Sequence, residues 1–139
     1  FFEKKNILSN ELSKRPNSMK MISNLLKEHA DIKLIKGNTI KTLTKFSKRN
    51  KFDFMFIDGG HSINTIKKDW ENCKKLMHKN SVVIFDDYYL GDNKLIKKFG
   101  CNKIVENLDN NYLIEYLEPK DYVPQLNVHV QLVKIEIKK

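Results

Sequence analysis

Three acids and a histidine stand at the ends of two apolar segments of this sequence. Asp58 and His61 follow an apolar run in FDFMFIDGGH, while Asp86 and Asp87 follow the run SVVIF. We expect both runs to be buried strands. Clustered carboxylates repel one another unless a cation neutralises them, and oxygen ligands favour a hard ion, Mg²⁺ or alternatively Mn²⁺. The pattern predicts a metal site formed by Asp58, Asp86 and Asp87, although any one of these acids alone would indicate a helix cap or a partner of lysine.

The histidine of this group has the properties of a general base. His61 lies three residues after Asp58, where the chain is expected to turn into a helix. An imidazole titrates near neutral pH and could remove a proton from a substrate hydroxyl beside the metal. Helix capping and a plain surface position are the alternatives. The other histidines fall in predicted elements and are expected to have packing or surface roles: His29, His78 and His129.

Glycine and amide residues lie at two of the predicted strand ends. Gly59 and Gly60 would let the backbone turn sharply and approach a ligand closely, or simply form a tight turn. Gly37, Asn38 and Thr39 follow another predicted strand. Their amide groups could contact a purine, and a simple helix start is the alternative.

Hydrophobic periodicity divides the chain into alternating helices and strands. Helices are predicted over residues 19–29, 40–46, 63–77 and 93–99, the third capped by Ser62. Strands are predicted over residues 31–35, 52–57, 81–85, 103–105, 112–116 and 128–137. The apolar phase of the last strand slips between Leu132 and Val133, which indicates a bulge or burial on both faces.

This alternation predicts an α/β fold with a mostly parallel sheet built from right-handed βαβ units. Ligands of such sheets bind beyond the carboxyl ends of the strands. The polar clusters at residues 37–39, 58–61 and 86–87 all follow predicted strands, so we expect them to converge on one rim. A chain of 139 residues suits one domain with one core.

The composition of the chain limits the class of protein to which it can belong. Hydrophobic residues make up 40% and charged residues 31% of the chain, and no run approaches the roughly 18–20 apolar residues of a membrane span. The formal charge of +9 is spread along the chain and includes only two arginines. A solvated basic surface therefore explains the charge better than a nucleic-acid face does. Two isolated cysteines suit a reducing, cytoplasmic location.

At IKLIKGNT, FDFMFIDGGHS and SVVIFDDYY the sequence resembles the class I S-adenosylmethionine-dependent methyltransferases, in particular the metal-dependent macrocin and rhamnosyl sugar O-methyltransferases. The resemblance implies a Rossmann-like three-layer αβα sandwich whose antiparallel strand Val128–Ile137 lies between the family's fifth and sixth strands. It also implies S-adenosylmethionine as cofactor and His61 as the base. The residues that it places at the metal are Asp58, Asp86 and Asp87. Those that it places at the cofactor are Gly37, Asn38, Thr39, Asp58 and Gly59.

One part of the family's pattern is absent from the sequence. The glycine-rich loop after the family's first strand would precede residue 1, as would the acid that binds the ribose. The chain therefore resembles the C-terminal two thirds of such an enzyme, a single partial domain over residues 1–139. We expect that this stretch alone binds the cofactor poorly.

The sequence thus predicts an enzyme that moves a methyl group to a hydroxyl of a sugar or another small metabolite. Two other classes stay open. A metal-dependent hydrolase could use the same carboxylates, and a non-catalytic basic module could bind nucleic acid. No membrane partner is expected, and a homo-oligomer is compatible with the sequence.

Overall fold

The computed structural model describes residues 19–27, 30–46, 51–91 and 93–139. The chain forms two compact units, residues 1–37 and residues 38–139. Within the first unit, helix α1 spans Met19–Leu26, where the sequence predicts a helix. The predicted end of this helix at His29 lies outside the described residues.

The second unit contains a five-stranded sheet and four short or medium helices. Its elements in chain order are α2 (Thr39–Thr42), a 3₁₀ helix (Leu43–Lys45), β1 (Phe54–Ile57), α3 (Ile63–Leu76), β2 (Val82–Leu90), α4 (Asn93–Ile96), α5 (Asn102–Val105), β3 (Tyr112–Tyr116), β4 (Asp121–Val123) and β5 (Val128–Ile137). The predicted capping of α3 is confirmed, because the Ser62 hydroxyl accepts a hydrogen bond from the Thr65 amide at 3.2 Å.

The sheet has the order β1-β2-β5-β3, and β4 also pairs with β5. Strands β1 and β2 are parallel, and β5 runs antiparallel to each of its neighbours. Strands β1 to β4 therefore share one direction, and β5 alone opposes them. The predicted α/β fold is confirmed, and the predicted antiparallel C-terminal strand, β5, lies between β2 and β3.

The core lies between α3, α5 and one face of the sheet. Helix α3, which the sequence predicts over residues 63–77, has a buried apolar stripe that includes Ile66, Trp70 and Cys73. The Trp70 ring lies 5.6 Å from that of Phe85 on β2. These side chains pack with Val83, Val133 and Ile135 of the sheet. Burial of these apolar side chains is the main favourable term that holds α3 on the sheet.

The expectation that all of β1 is buried is wrong. Ile57 is buried, but Phe54 is 57% exposed and Phe56 is 49% exposed. Successive side chains of a strand point to opposite faces, so Ile57 points toward α3 while the two phenylalanines point the other way. The continuous apolar run gave no sign that the two faces of this strand differ.

Two predicted strands are also wrong. Residues 31–35 form no strand and have no ladder hydrogen bonds to the described residues. Residues 103–105 belong to helix α5, because the amides of Ile104 and Val105 both donate to the Cys101 carbonyl at 2.9 Å. Short apolar runs fit a buried helical turn as well as a strand.

Strand β2 is longer than predicted, and β4 was not predicted. The sequence indicates that β2 ends before Asp86, yet it continues to Leu90 because β5 provides a partner there, with Leu90 opposite His129. Strand β4 has only three residues and also depends on β5 for its pairing. Cys73 and Cys101 are free and buried. Among the described helices, none has the length and apolar character that crossing a membrane requires.

Candidate active site

A β-bulge places the two acids of β2 beside the end of β1. Strand β1 stops at Ile57, opposite Phe85, and β2 runs on alone along that edge. On the other edge Phe85 pairs with Val133 and Tyr88 with Gln131, so Asp86 and Asp87 together face one residue. Regular alternation would direct adjacent side chains to opposite faces, whereas a bulge redirects them. The predicted irregularity is therefore real, but the extra residue lies in β2 rather than in β5.

The first acid of the bulge contacts the acid that follows β1. Asp86 shares a side-chain hydrogen bond with Asp58, and its pKa is raised to about 6 by partial burial and by the charges of Asp58 and Asp87. Two carboxyl groups in hydrogen-bond contact need a proton between them or a cation in its place. This pair is consequently a place where a cation would be stabilised.

The second acid of the bulge holds the histidine. The Nδ1 atom of His61 lies 2.5 Å from Oδ2 of Asp87. The side chain of His61 is 60% exposed and that of Asp87 is 13% exposed. The hydrogen bond to Asp87 raises the pKa of His61 above its ordinary value against the opposing effect of burial, and the charges of Asp58 and Asp86 add to the rise. One ring nitrogen is thus engaged inside the site, while the ring as a whole remains open to solvent.

A short segment connects the two halves of this site, and we call residues 98–102 the strap. The Gly100 amide donates to the carbonyl of His61 at 2.9 Å, and the Cys101 amide donates to the carbonyl of Asp87 at 2.8 Å. An isolated bridge between Ser62 and Phe99 adds to the first connection. The strap therefore occupies the edge of β2 that β1 has left, and it ties the turn after β1 to the bulge.

The two glycines of the IDGGH turn are explained by crowding rather than by unusual backbone angles. Neither Gly59 nor Gly60 has a positive φ. A Cβ atom on Gly60 would lie 3.0 Å from Cγ2 of Thr65, and one on Gly59 would lie 3.3 Å from Oδ2 of Asp69. Asp69 is buried, and its Oδ1 atom has no hydrogen-bond partner among the described residues. These glycines therefore lie close to α3, and their predicted approach to a ligand stays a prediction.

Asn38 is engaged in helix capping. Its Oδ1 atom accepts a hydrogen bond from the Ile40 amide at 2.9 Å, and its carbonyl accepts one from the amide of Thr42, the last residue of α2, at 2.9 Å. This is the simple helix start that the sequence left open. A role for Gly37, Asn38 and Thr39 at a purine stays a prediction.

The structure brings Asp58, His61, Asp86 and Asp87 together at one rim, as the sequence predicts. These four residues form two pairs: Asp58 contacts Asp86, and Asp87 contacts His61. Within the described ranges, no three or more His, Cys, Asp or Glu side chains are placed so as to hold a metal ion together. A cleft of about 530 Å³ lies between α3 and α5, and none of these four residues lines it.

Three further residues shape the site, and none of them belongs to the set that the sequence predicts for it. Tyr89 donates a hydrogen bond from its hydroxyl to Oδ1 of Asp87 at 3.2 Å. Asn102 bonds the backbone of Tyr89 on both its amide and its carbonyl. Gly100, which follows the predicted helix over residues 93–99, has a φ of 82°, which places it in the left-handed region. The pairing of these residues is visible only in three dimensions.

The site predicts a loss of stability at higher pH in metal-free protein. The pKa of Asp86 is raised from 3.8 to about 6, so the folded protein keeps a proton that the unfolded chain releases. Because the Asp86 carboxyl is only partly buried, solvent screening reduces the effect of this shift, and stability should fall by about 1 kcal/mol as the pH rises through this window. The raised pKa of His61 acts in the same direction, because its contribution is present below about pH 6.5 and is lost above its folded pKa.

Urea unfolding in EDTA at several pH values from 4 to about 7.5 would measure this loss. Asp86→Asn should remove most of the dependence, and Asp121→Asn on exposed β4 is the matched control. A wild-type protein that becomes more stable over the same pH range would contradict the prediction.

One known protein family matches the sequence of this chain. A sequence profile described as a methyltransferase domain matches residues 4–88, more than half of the chain. The chain belongs to this methyltransferase family. The matched part of the methyltransferase domain includes every residue that the sequence predicts for the site. A search of curated proteins gave no match to this methyltransferase.

Solved structures share the fold of this methyltransferase domain. A protein from Klebsiella pneumoniae, provisionally described as an O-methyltransferase, has a TM-score of 0.63 at 12% identity, over 86% of this chain and 56% of its own. An rRNA methylase from Streptococcus thermophilus has a TM-score of 0.62 at 14% identity, over 96% of this chain and 71% of its own. A protein from Clostridium thermocellum, provisionally described as an rRNA methylase, has a TM-score of 0.62 at 15% identity, over 96% of this chain and 70% of its own.

At these identities the likeness shows the fold alone. The domain spans 56% of the length of the Klebsiella pneumoniae protein. The family and the Rossmann-like fold are therefore established, and the acceptor, the cation and the roles of individual residues are matters of proposal.

Proposed function

We propose that this protein is an S-adenosylmethionine-dependent O-methyltransferase that acts on a hydroxyl of a sugar or another small metabolite, in the cytoplasm, with His61 as general base. Membership of the methyltransferase family supports the methyl donor. The observation that carries the choice of a hydroxyl acceptor is the contact of 2.5 Å between His61 and Asp87 at the rim of the sheet. Such a base suits an acceptor that must lose a proton before or during transfer.

The geometry of His61 assigns a role to each ring nitrogen. Asp87 accepts the hydrogen of Nδ1 and fixes this tautomer, so Nε2 carries the free lone pair. Nε2 would accept the proton of the substrate hydroxyl as its oxygen attacks. S-adenosylmethionine supplies, when bound, the electrophilic methyl group. Because the negative charges of Asp87, Asp58 and Asp86 raise the pKa of His61, the site would stabilise the imidazolium that forms.

We propose a cation site at Asp58 and Asp86, next to this base. Mg²⁺ is usually bound by one or two carboxylates together with water and substrate oxygens, so a pair of acids is an adequate donor set. The raised pKa of Asp86 supports this assignment, since a cation would replace the shared proton. Mg²⁺, or Mn²⁺ in its place, would supply Lewis-acid activation of the acceptor hydroxyl. A further role of Asp87 as a ligand stays a prediction, because the structure engages it with His61.

We assign cofactor contacts to the residues for which the resemblance predicts them. These are Gly37, Asn38, Thr39, Asp58 and Gly59, all within the part of the chain that matches the family. The hydrogen bond of Asn38 to the Ile40 amide uses its side-chain oxygen. Its side-chain NH₂ group therefore remains the donor that a purine nitrogen could meet.

Calorimetry with S-adenosylhomocysteine, with and without Mg²⁺, tests the methyl donor. The sample is the protein as it is expressed from its natural gene. We expect binding of the cofactor product, whereas a metal-dependent hydrolase would not bind it.

The base is tested by His61→Ala in a transfer assay. We expect kcat to fall by about a hundredfold or more, as for the loss of a general base, with S-adenosylhomocysteine binding retained. His129→Ala is the control, since His129 is exposed on β5 and stacks on Tyr122 at 5.1 Å. Wild-type turnover by the His61 variant would exclude His61 as the base.

An RNA acceptor is the second candidate. Two of the similar structures are described as rRNA methylases, and the chain carries a formal charge of +9. Against this stands the scarcity of arginine, which is the preferred residue for bidentate contacts to phosphate and guanine. Binding of RNA that weakens steeply with salt, together with methyl transfer to it, would favour the RNA acceptor. Salt-dependent RNA binding without transfer would instead favour the non-catalytic module.

A further inference from the structure

Tyr89 connects to the candidate base through one carboxylate. Its side chain is 5% exposed, and its hydroxyl donates to Oδ1 of Asp87 at 3.2 Å. The other oxygen of the same carboxylate faces Nδ1 of His61 at 2.5 Å. Asp87 thus has a donor on each oxygen, one from a buried phenol and one from an exposed imidazole.

The backbone of Tyr89 is held on both edges of β2. On one edge Tyr89 pairs with Val130 of β5. On the other edge, where β1 has ended, the side chain of Asn102 replaces a strand. Its Oδ1 atom accepts from the Tyr89 amide at 3.0 Å, and its Nδ2 atom donates to the Tyr89 carbonyl at 2.8 Å. Asn102 is 2% exposed, so water cannot readily compete for these bonds.

The ring of Tyr89 is confined as well. A Cβ atom on Gly100 would lie 2.5 Å from Cδ2 of Tyr89 and 2.8 Å from its Cε2. The strap therefore lies directly against the ring, and its Cys101 amide fixes the carbonyl of Asp87 at 2.8 Å. Backbone and ring are both constrained, and the hydroxyl can reach Asp87 from one direction only.

We propose that Tyr89 is a positioning residue, which holds Asp87 in the orientation in which it accepts the Nδ1 hydrogen of His61. The proposal rests on the proposed function of His61 as the base. Asp87 adjoins Asp86, and the two negative charges repel each other. Without a donor on Oδ1, the Asp87 carboxylate could therefore rotate away and release the imidazole. A hydrogen bond to a charged group contributes more than one between neutral groups. The phenol thereby stabilises the tautomer that leaves Nε2 free for the substrate.

Tyr89→Phe tests the proposal, because it keeps the ring and removes only the hydroxyl. Tyr88→Phe is the matched control: its hydroxyl faces Glu106 at 3.5 Å, and its ring packs on Tyr116 at 5.0 Å. In the complete enzyme, at saturating substrates and Mg²⁺, kcat of Tyr89→Phe should fall about tenfold with KM for S-adenosylmethionine unchanged. The control should stay within about twofold of wild type.

A second measurement separates positioning from packing. In NMR spectra of the ¹⁵N-labelled protein, the hydrogen-bonded Nδ1–H resonance of His61 should be present in wild type and Tyr88→Phe. It should shift or broaden in Tyr89→Phe. An unchanged resonance in Tyr89→Phe, or equal losses of kcat in both variants, would assign Tyr89 to packing and overturn the proposal. Activity retained by His61→Ala would instead overturn the proposed base, whatever Tyr89 does.

Discussion

Replacement of Asp58 by asparagine is expected to abolish Mg²⁺-dependent methyl transfer. Asp58 follows the last residue of β1, and its side chain shares a hydrogen bond with that of Asp86, which follows Phe85 on β2. The amide keeps the shape of the side chain but removes the charge that would bind the cation. Removal of a residue that only hydrogen-bonds a metal ligand costs about 10- to 100-fold in metal affinity or activity. Removal of a ligand itself should therefore lower activity by more than about a hundredfold.

Asp53→Asn is the control for this experiment. Asp53 lies just before β1, at the opposite end of the strand, and its carboxylate is 96% exposed and pairs with His78 at 2.7 Å. Its replacement should leave transfer at the wild-type level. Transfer that survives chelation of divalent ions, or an Asp58→Asn enzyme with wild-type kcat and Mg²⁺ dependence, would eliminate the metal from the mechanism.

Gly100→Ala should both destabilise the protein and impair the site. Gly100 has a φ of 82°, and an added Cβ atom would lie 2.5 Å from the Tyr89 ring and 2.7 Å from the carbonyl of Asp87. The left-handed backbone should cost roughly 1–2 kcal/mol and the overpacking roughly 1–3 kcal/mol, so the total should reach about 3 kcal/mol. Because the strap must move away from Asp87, transfer should fall even at temperatures where the variant is folded.

Gly91→Ala separates the two causes. Gly91 has a φ of 101°, and a Cβ atom there would meet nothing within 4 Å. It should therefore show only the backbone term, about 1–2 kcal/mol in urea unfolding, with full activity. If both alanine variants lose the same stability and the same activity, the contact between the strap and Tyr89 has no role in holding the site.

The site explains why adjacent acids can have separate tasks. Asp86 faces Asp58, and Asp87 faces His61 and Tyr89. In a regular strand one of the two would have pointed away from the rim. Under the proposed function, the bulge opposite Leu132 would give one carboxylate of this consecutive pair to the cation and the other to the base. The proton acceptor and the Lewis acid would then lie next to each other, as activation of a hydroxyl requires.

Local patterns were reliable where one short-range interaction decides the structure. The capping of α2 by Asn38 and of α3 by Ser62 involves residues no more than three positions apart. The apolar stripe of α3 is set by the helical period alone. Strand β5 has the predicted bounds because its alternation is long. For the same reason the sequence could place Asp58 and His61 at a strand end.

The predictions of strands and of burial were wrong where contacts with a distant segment of the chain decide the structure. Residues 31–35 have the composition of a strand, but a strand exists only with a partner, and no described residue pairs with them. Strand β2 passes its predicted end because β5 pairs with it as far as Leu90. The exposure of Phe54 and Phe56 depends on what covers each face of β1. None of these facts is present in the local sequence.

The sequence by itself determined the chemical inventory of the rim: which carboxylates, which imidazole, and that consecutive strands would bring them near one another. Only the tertiary structure decided which of these side chains contact each other. It also placed Tyr89 against Asp87, and Asn102 and Gly100 against Tyr89. The physical reason is that residue type and period are local properties of a chain. Hydrogen-bond pairing between carboxylates depends instead on distances of a few ångströms between segments far apart in sequence.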